Sequence, residues 1–181
     1  MPVWQRWASP SPDGEQVIAG LLVSAVLAVC YPPPVEAPVS IPFVSPACAY
    51  CSGHRGVEYL VAAGTPVRTV APGVVRFSGM VAGTRYVVVL QADGLRATYG
   101  MLQTSVVSRG DVVNTGQLVG NSGVRLYFGL RDAADNPVDP TNLLGVLVGR
   151  PRLLPSNGTI GRRALPRRLT CAASVSGVLP V

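Results

Sequence analysis

The chain has 181 residues, enough for one domain with appendages, and its 15 basic residues are all arginine, set against nine acids for a net charge of +6. The excess sits at one end: residues 150–181 carry six arginines and no acid, while residues 31–149 carry eight arginines against seven acids and are close to neutral. A near-neutral centre with few aromatics argues against a nucleic-acid surface, and the basic end suits an anionic surface such as a membrane or an acidic wall polymer.

Residues 17–29 are an uncharged apolar run, long enough for the core of a signal peptide and short for a membrane span. Residues 1–30 are therefore expected to be a signal peptide cleaved after Ala28 or a retained membrane anchor. Arg6 is offset by Asp13 and Glu15, where a basic start is usual, and Leu27-Ala28-Val29-Cys30 is an imperfect lipoprotein signal. Export agrees with four cysteines, at 30, 48, 51 and 171, which allow three full disulfide pairings. The Cys48-Ala-Tyr-Cys51 motif could be a redox centre or half a zinc knuckle. It lacks a βαβ setting for the first and a second ligand pair for the other, so a structural disulfide ahead of His54 is favoured.

Residues 31–52 read as an extended proline-rich linker, because Tyr31-Pro-Pro-Pro and the prolines after it cannot be helical. His54 follows, the only histidine in the chain, with a carboxylate, Glu58, four positions on. The pair could bind a metal, move a proton or form a hydrogen-bonded loop.

From Gly64 onward the period is that of strands: Val67–Val70, Val74–Phe77, Arg85–Gln91, Leu95–Tyr99, Val112–Val113, Gln117–Val119 and Arg125–Arg131, separated by Gly, Pro and Asp-Gly. Asp93-Gly94 is a hairpin signal, and Arg109-Gly110-Asp111 and Asn121-Ser122-Gly123 are predicted turns. The expectation is an all-β, compact antiparallel domain of roughly seven or more strands. Asp139-Pro140 closes it with a short helical turn, and residues 146–181 are expected to be a flexible, arginine-rich tail. In Arg125–Arg131 the period of two puts Leu126, Phe128 and Leu130 on the core face and Arg125, Tyr127, Gly129 and Arg131 on the other.

The ordered series Gly53-His54-Arg55-Gly56-Val57-Glu58, Gly64-Thr65-Pro66-Val67, Ala71-Pro72-Gly73, Asp93-Gly94-Leu95, Thr98-Tyr99-Gly100-Met101-Leu102, Gly110-Asp111-Val112-Val113, Gly116-Gln117-Leu118-Val119-Gly120, Leu126-Tyr127-Phe128-Gly129-Leu130-Arg131 and Val138-Asp139-Pro140 resembles the lysostaphin-type (LytM-like) zinc endopeptidase domain. The resemblance is collinear over residues 53–145. It implies a duplicated-hybrid-motif-like antiparallel β domain with a groove, in exported hydrolases that cut peptide bonds of peptidoglycan.

Within this resemblance the first zinc-ligand histidine falls on His54 and the ligand aspartate on Glu58. The last ligand falls on Tyr127, and the two catalytic histidines fall on Met101 and Arg125. Of the family's histidines only His54 is kept. One imidazole, one carboxylate and a phenol are poor zinc ligands together, and an arginine in their midst opposes a cation. The expected protein is an exported, wall-associated pseudo-enzyme, with no cofactor, that binds peptidoglycan peptides or regulates a wall hydrolase. Tyr99, Arg125 and Tyr127 are the expected groove-binding residues, and an ion pair between Glu58 and Arg125 replaces the metal. The alternative is an active zinc peptidase of altered ligation through His54, Glu58 and Tyr127. A third reading is a structural or assembly part, such as a membrane-tethered adaptor, with the basic tail as the contact; a membrane surface could be met through the N-terminal segment or that tail.

Overall fold

The computed structural model describes residues 30–48, 51–149 and 166–171. The apolar run at 17–29 and most of the arginine-rich tail lie outside the described residues. The described chain forms β1 (Val39–Ile41), β2 (Val57–Leu60), β3 (Pro66–Arg68), β4 (Gly73–Val81), β5 (Thr84–Gln91), β6 (Arg96–Ser105), β7 (Val112–Val113), β8 (Leu118–Arg131), β9 (Pro137–Val138), a 3-10 turn (Pro140–Asn142), β10 (Val146–Val148) and β11 (Arg168–Thr170). One antiparallel sheet runs β1-β2-β8-β6-β5-β4-β7, with β3 and β9 also paired to β8, and β10 and β11 form a separate pair.

Alternation sets the core. Val57, Phe128, Tyr99 and Val87 lie in register across β2, β8, β6 and β5, and all four are fully buried. Leu126 and Leu130 join them from β8, Val89 and Ala97 from the β5–β6 hairpin. The hairpin turns at Asp93-Gly94, where Gly94 has a φ of 89° and Asp93 accepts the Leu95 amide.

Two turns differ from expectation. Asn121-Ser122-Gly123 is not a turn but the interior of the long strand β8, which bends there instead of reversing. The register with β6 jumps from Leu102↔Ser122 to Gly100↔Tyr127, so residues 123–126 bulge opposite Met101 alone. The hairpin joining β4 to β5 turns instead on Ala82-Gly83, with φ of 47° and 79°.

Residues 31–48 are packed on the domain, unlike the free linker their composition suggests. The Tyr31 amide donates to Leu143 and its carbonyl accepts from Gly145, both at 2.8 Å, and Tyr31 and Val35 are buried. The Arg68 amide donates to the Pro34 carbonyl, Ser40 donates to the Glu58 carbonyl, and Tyr31 donates its hydroxyl to Asp93. Prolines that hold the segment extended lower the entropy lost when it docks. Part of the expected tail is ordered too: β10 pairs with β11, Arg167 pairs with Glu36, and Cys30 is bonded to Cys171. The other disulfide joins Cys48 to Cys51. Two disulfides fit a chain that matures in an oxidising compartment. Among the described residues no helix is long and apolar enough to cross a membrane.

Candidate functional site

The site forms where β2 meets the bend of β8. His54 is fixed by a two-residue bridge to Val44, each backbone amide donating to the other's carbonyl at 2.9 Å. Its Nδ1 lies 3.0 Å from the Pro42 carbonyl oxygen, and its Nε2 lies 3.3 Å from Glu58 Oε1. Both partners are acceptors, so the ring is oriented by the carbonyl and turns its second nitrogen to the carboxylate. Glu58, on β2, is buried, with 7% of its surface exposed. Its other oxygen, Oε2, lies 3.4 Å from Arg125 Nη1.

The expected pairing of Glu58 with Arg125 is therefore present, with His54 as its third member. At 3.4 Å and with the Arg125 side chain 54% exposed, the ion pair adds at most about 1 kcal/mol. Its chemical weight lies in where the charge sits. A guanidinium occupies the open side of the only carboxylate in the cluster.

Tyr127 faces Glu58 in register, and Gly100 lies on its other side. Its ring stands edge-on to His54, with centroids 5.9 Å apart and planes at 89°. A Cβ on Gly56 would come within 2.7 Å of the Tyr127 ring, and one on Gly129 within 2.6 Å of its hydroxyl. Tyr86 lies as closely over Gly100. The floor of the site is thus two phenol rings laid on bare glycine backbone. Burial pushes the Tyr127 hydroxyl above its ordinary pKa, partly offset by the charges of Arg131 and Arg55.

These features decide how well zinc would fit. Nitrogen and oxygen on one tetrahedral zinc are separated by about 3.3 Å, so His54 and Glu58 match half of a site. A structural or catalytic zinc takes at least three protein ligands. Among the described residues no group of three or more His, Cys, Asp and Glu could hold a metal. The remaining candidate, Tyr127, would have to ionise against a raised pKa. Arg125 would hold a second cation close to the first. The donor set does not fit a resident zinc ion.

Tyr99 does not belong to the site. It was expected in the groove, but it is fully buried in the core, where its hydroxyl accepts the Val70 amide at 3.0 Å. Met101 is half-buried at the bulge with a φ of 60°, a backbone region that any Cβ strains. It presents a thioether where an acid or base would be needed. Sequence reasoning did not find Tyr86, Arg55 or the Pro42 carbonyl as parts of this floor. Tyr86 follows from register once the β5–β6 hairpin is placed; the Pro42 contact leaves no local signal, because it depends on docking of residues 31–48.

Gly56 gives a test of the packing. Its Cβ would also lie 2.5 Å from the Phe128 carbonyl oxygen, a backbone atom that cannot rotate away. Gly56→Ala is expected to lower stability by about 1–3 kcal/mol and to shift the tyrosine near-ultraviolet circular dichroism as the Tyr127 ring moves. An unchanged spectrum and urea midpoint would show that the strands have room to part.

The sequence profile of peptidase family M23 matches residues 52–140. No curated protein matches the chain. Among solved structures, Csd3 of Helicobacter pylori is similar at 25% identity and a TM-score of 0.56, over 65% of this chain and 35% of Csd3. Lysostaphin of Staphylococcus simulans is similar at 24% identity and 0.50, over 58% of this chain and 48% of that one. The SpoIIQ–SpoIIIAH pore-forming complex contains a chain similar at 20% identity and 0.55, over 65% of this chain and 92% of that one. The last two likenesses speak for the fold alone, and this chain spans about a third of the length of Csd3. With collinear motifs, the profile match and the antiparallel sheet in agreement, this chain carries a lysostaphin-type (LytM-like) domain of the M23 peptidase family.

Proposed function

We propose that this is an exported, cell-wall-associated protein whose LytM-like domain does not cleave peptide bonds. In this reading it uses the groove to bind peptidoglycan peptides, or to dock on and regulate a wall hydrolase. The observation that carries the reading is Arg125, set 3.4 Å from Glu58 at the centre of the site. A donor set short of a zinc site supplies no metal to lower the pKa of a water or to act as Lewis acid on a scissile carbonyl. Met101 offers no proton to a leaving group. A scaffold kept whole around a dismantled centre is suited to binding. The SpoIIQ–SpoIIIAH complex, in which a similar fold belongs to a protein assembly, supports docking on a protein as one use of such a scaffold. The apolar run at 17–29 and the two disulfides support export.

The second reading, a zinc peptidase of altered ligation, is favoured by the 3.3 Å spacing of His54 and Glu58 and by the fixed orientation of the imidazole. Metal analysis of the purified protein, combined with lysis and sedimentation of isolated walls, separates the two. We expect no stoichiometric zinc, no lysis, and protein that sediments with the walls or alters their digestion by a partner hydrolase. Stoichiometric zinc with chelator-sensitive lysis would establish the second reading in its place.

A further inference from the structure

We propose that Arg125 receives the terminal carboxylate of a short peptide lying in the groove, so that the domain recognises a peptide end produced by hydrolysis and not an uncut chain. The inference rests on the reading of the groove as a peptide-binding surface and names the chemistry that it selects.

Among the described residues Arg125 has one polar partner, Glu58, which it touches through Nη1 alone. Glu58 lies beneath with its side chain 10% exposed, whereas the arginine side chain is 54% exposed. The carboxylate therefore holds the guanidinium from the buried side. A guanidinium carries five N–H donors in a planar fork, and those on the open side match the two oxygens of an incoming carboxylate.

Charge favours the same ligand. The Tyr127 hydroxyl lies within the influence of Arg131 and Arg55 as well as Glu58. Asp135, which pairs with Arg131, also pairs with Arg96. The exposed positive charge of Arg125 favours an anion over the uncharged amide of a running chain. Tyr127 makes no hydrogen bond among the described residues.

A groove shaped for an endopeptidase accommodates a chain continuing in both directions, with an uncharged amide at its centre. A fixed cation at that centre changes the preference, because the group it stabilises is an anion and the anion of a peptide backbone is its C-terminus. Amide hydrolysis supplies such ends: water is added across the C–N bond, leaving a carboxylate on one fragment and an amine on the other. The reaction that feeds this site is therefore a peptidase reaction carried out by another protein.

The test uses the full chain and two probes, acetyl-trialanine as the free acid and as the C-terminal amide, each in its D and L forms, titrated by nuclear magnetic resonance. The free acid is expected to bind about tenfold more tightly than the amide, equivalent to about 1.4 kcal/mol. Arg125→Gln is expected to remove the difference, and Arg125→Lys, which keeps the charge but loses the fork, to restore only part of it. Equal binding of acid and amide overturns the inference while leaving a peptide groove in place. Binding of walls with no binding of either probe does the same, whereas failure of walls and probes alike overturns the groove reading itself. Acetate that displaces the acid at the same concentration would reduce the site to a general anion hole. An internal glutamate peptide with blocked ends that binds better than the free acid would give Arg125 to a side-chain carboxylate of a protein partner. Either result overturns the assignment to a peptide end.

Discussion

Replacing Cys30 and Cys171 together by serine is expected to destabilise the protein by about 5 kcal/mol, and replacing Cys48 and Cys51 by only about 2 kcal/mol. The contrast follows from loop length. The first bond joins residues 141 positions apart and the second residues 3 apart, and the entropy a cross-link removes from the unfolded chain grows with the logarithm of the loop. The long bond also ties two otherwise weakly held ends together: the segment that begins at Tyr31, and the hairpin β10–β11, whose strands have three residues each. Urea unfolding of the two double variants checks the prediction. The C30S/C171S midpoint should fall further, with a steeper slope because the freed chain exposes more surface when unfolded. Equal, small shifts would mean that the ends open locally before the sheet does, so that the bond constrains only a frayed edge. The short bond has a different part to play. It closes the turn immediately before His54, where the Arg55 guanidinium donates to the Cys51 carbonyl at 3.2 Å, so its loss should be felt in the groove more than in global stability.

Much of this architecture is legible in the sequence because strand period and side-chain chemistry agree. In Arg125–Arg131 the alternation alone separates Leu126, Phe128 and Leu130 from Arg125, Tyr127 and Arg131, and burial follows that division. Asp93-Gly94 marks its hairpin because glycine enters the left-handed region without strain. Ala82-Gly83 does not announce itself, since alanine has no preference for the φ of 47° it adopts there.

The errors have a common origin in tertiary context. Asn121-Ser122-Gly123 has the composition of a turn, but β3 and β6 both pair with β8 on either side of it and hold it extended. Tyr99 and Met101 share strand parity, which suggests one common face. The bulge at Met101 breaks the alternation, so Tyr99 goes to the core while Met101 remains half-buried beside the site. The proline-rich segment is extended, as its composition requires. Composition does not say that Tyr31 and Val35 have a core to enter, and only docking supplies the Pro42 carbonyl that orients His54. The residues of the site were thus visible one by one, whereas the rings of Tyr127 and Tyr86 on the glycine floor emerge only from cross-strand register.

Above pH 10 the fold is expected to lose stability steeply through its buried tyrosines. Tyr59 and Tyr99 are 2% and 0% exposed, and burial drives both phenols far above their ordinary range; the Val70 amide, which donates to Tyr99, offsets only part of this. The unfolded phenols ionise at about pH 10. Because the folded values are raised, the contribution to stability is fully present below pH 10 and disappears as pH rises from there through the folded values, where the unfolded chain binds fewer protons. Each tyrosine then removes about 1.4 kcal/mol per pH unit, so the pair removes about 5 kcal/mol between pH 10 and 12, comparable with the whole stability of a small domain. Composition makes the experiment unusually direct. With no lysine in the chain and every cysteine in a disulfide, tyrosines are the side chains that titrate in this interval, and the arginines keep their charge. Tyrosinate absorbance and circular dichroism recorded on the same samples should show exposed phenols ionising first, and then a cooperative step in which the buried phenols ionise as the sheet unfolds. Tyr59→Phe should lower the slope of stability against pH by about 1.4 kcal/mol per pH unit, with Tyr99 and the raised hydroxyls of Tyr31 and Tyr127 supplying the rest. Ionisation of all the phenols near pH 10 with the sheet intact would contradict the burial of Tyr59 and Tyr99, and with it the core on which the site is built.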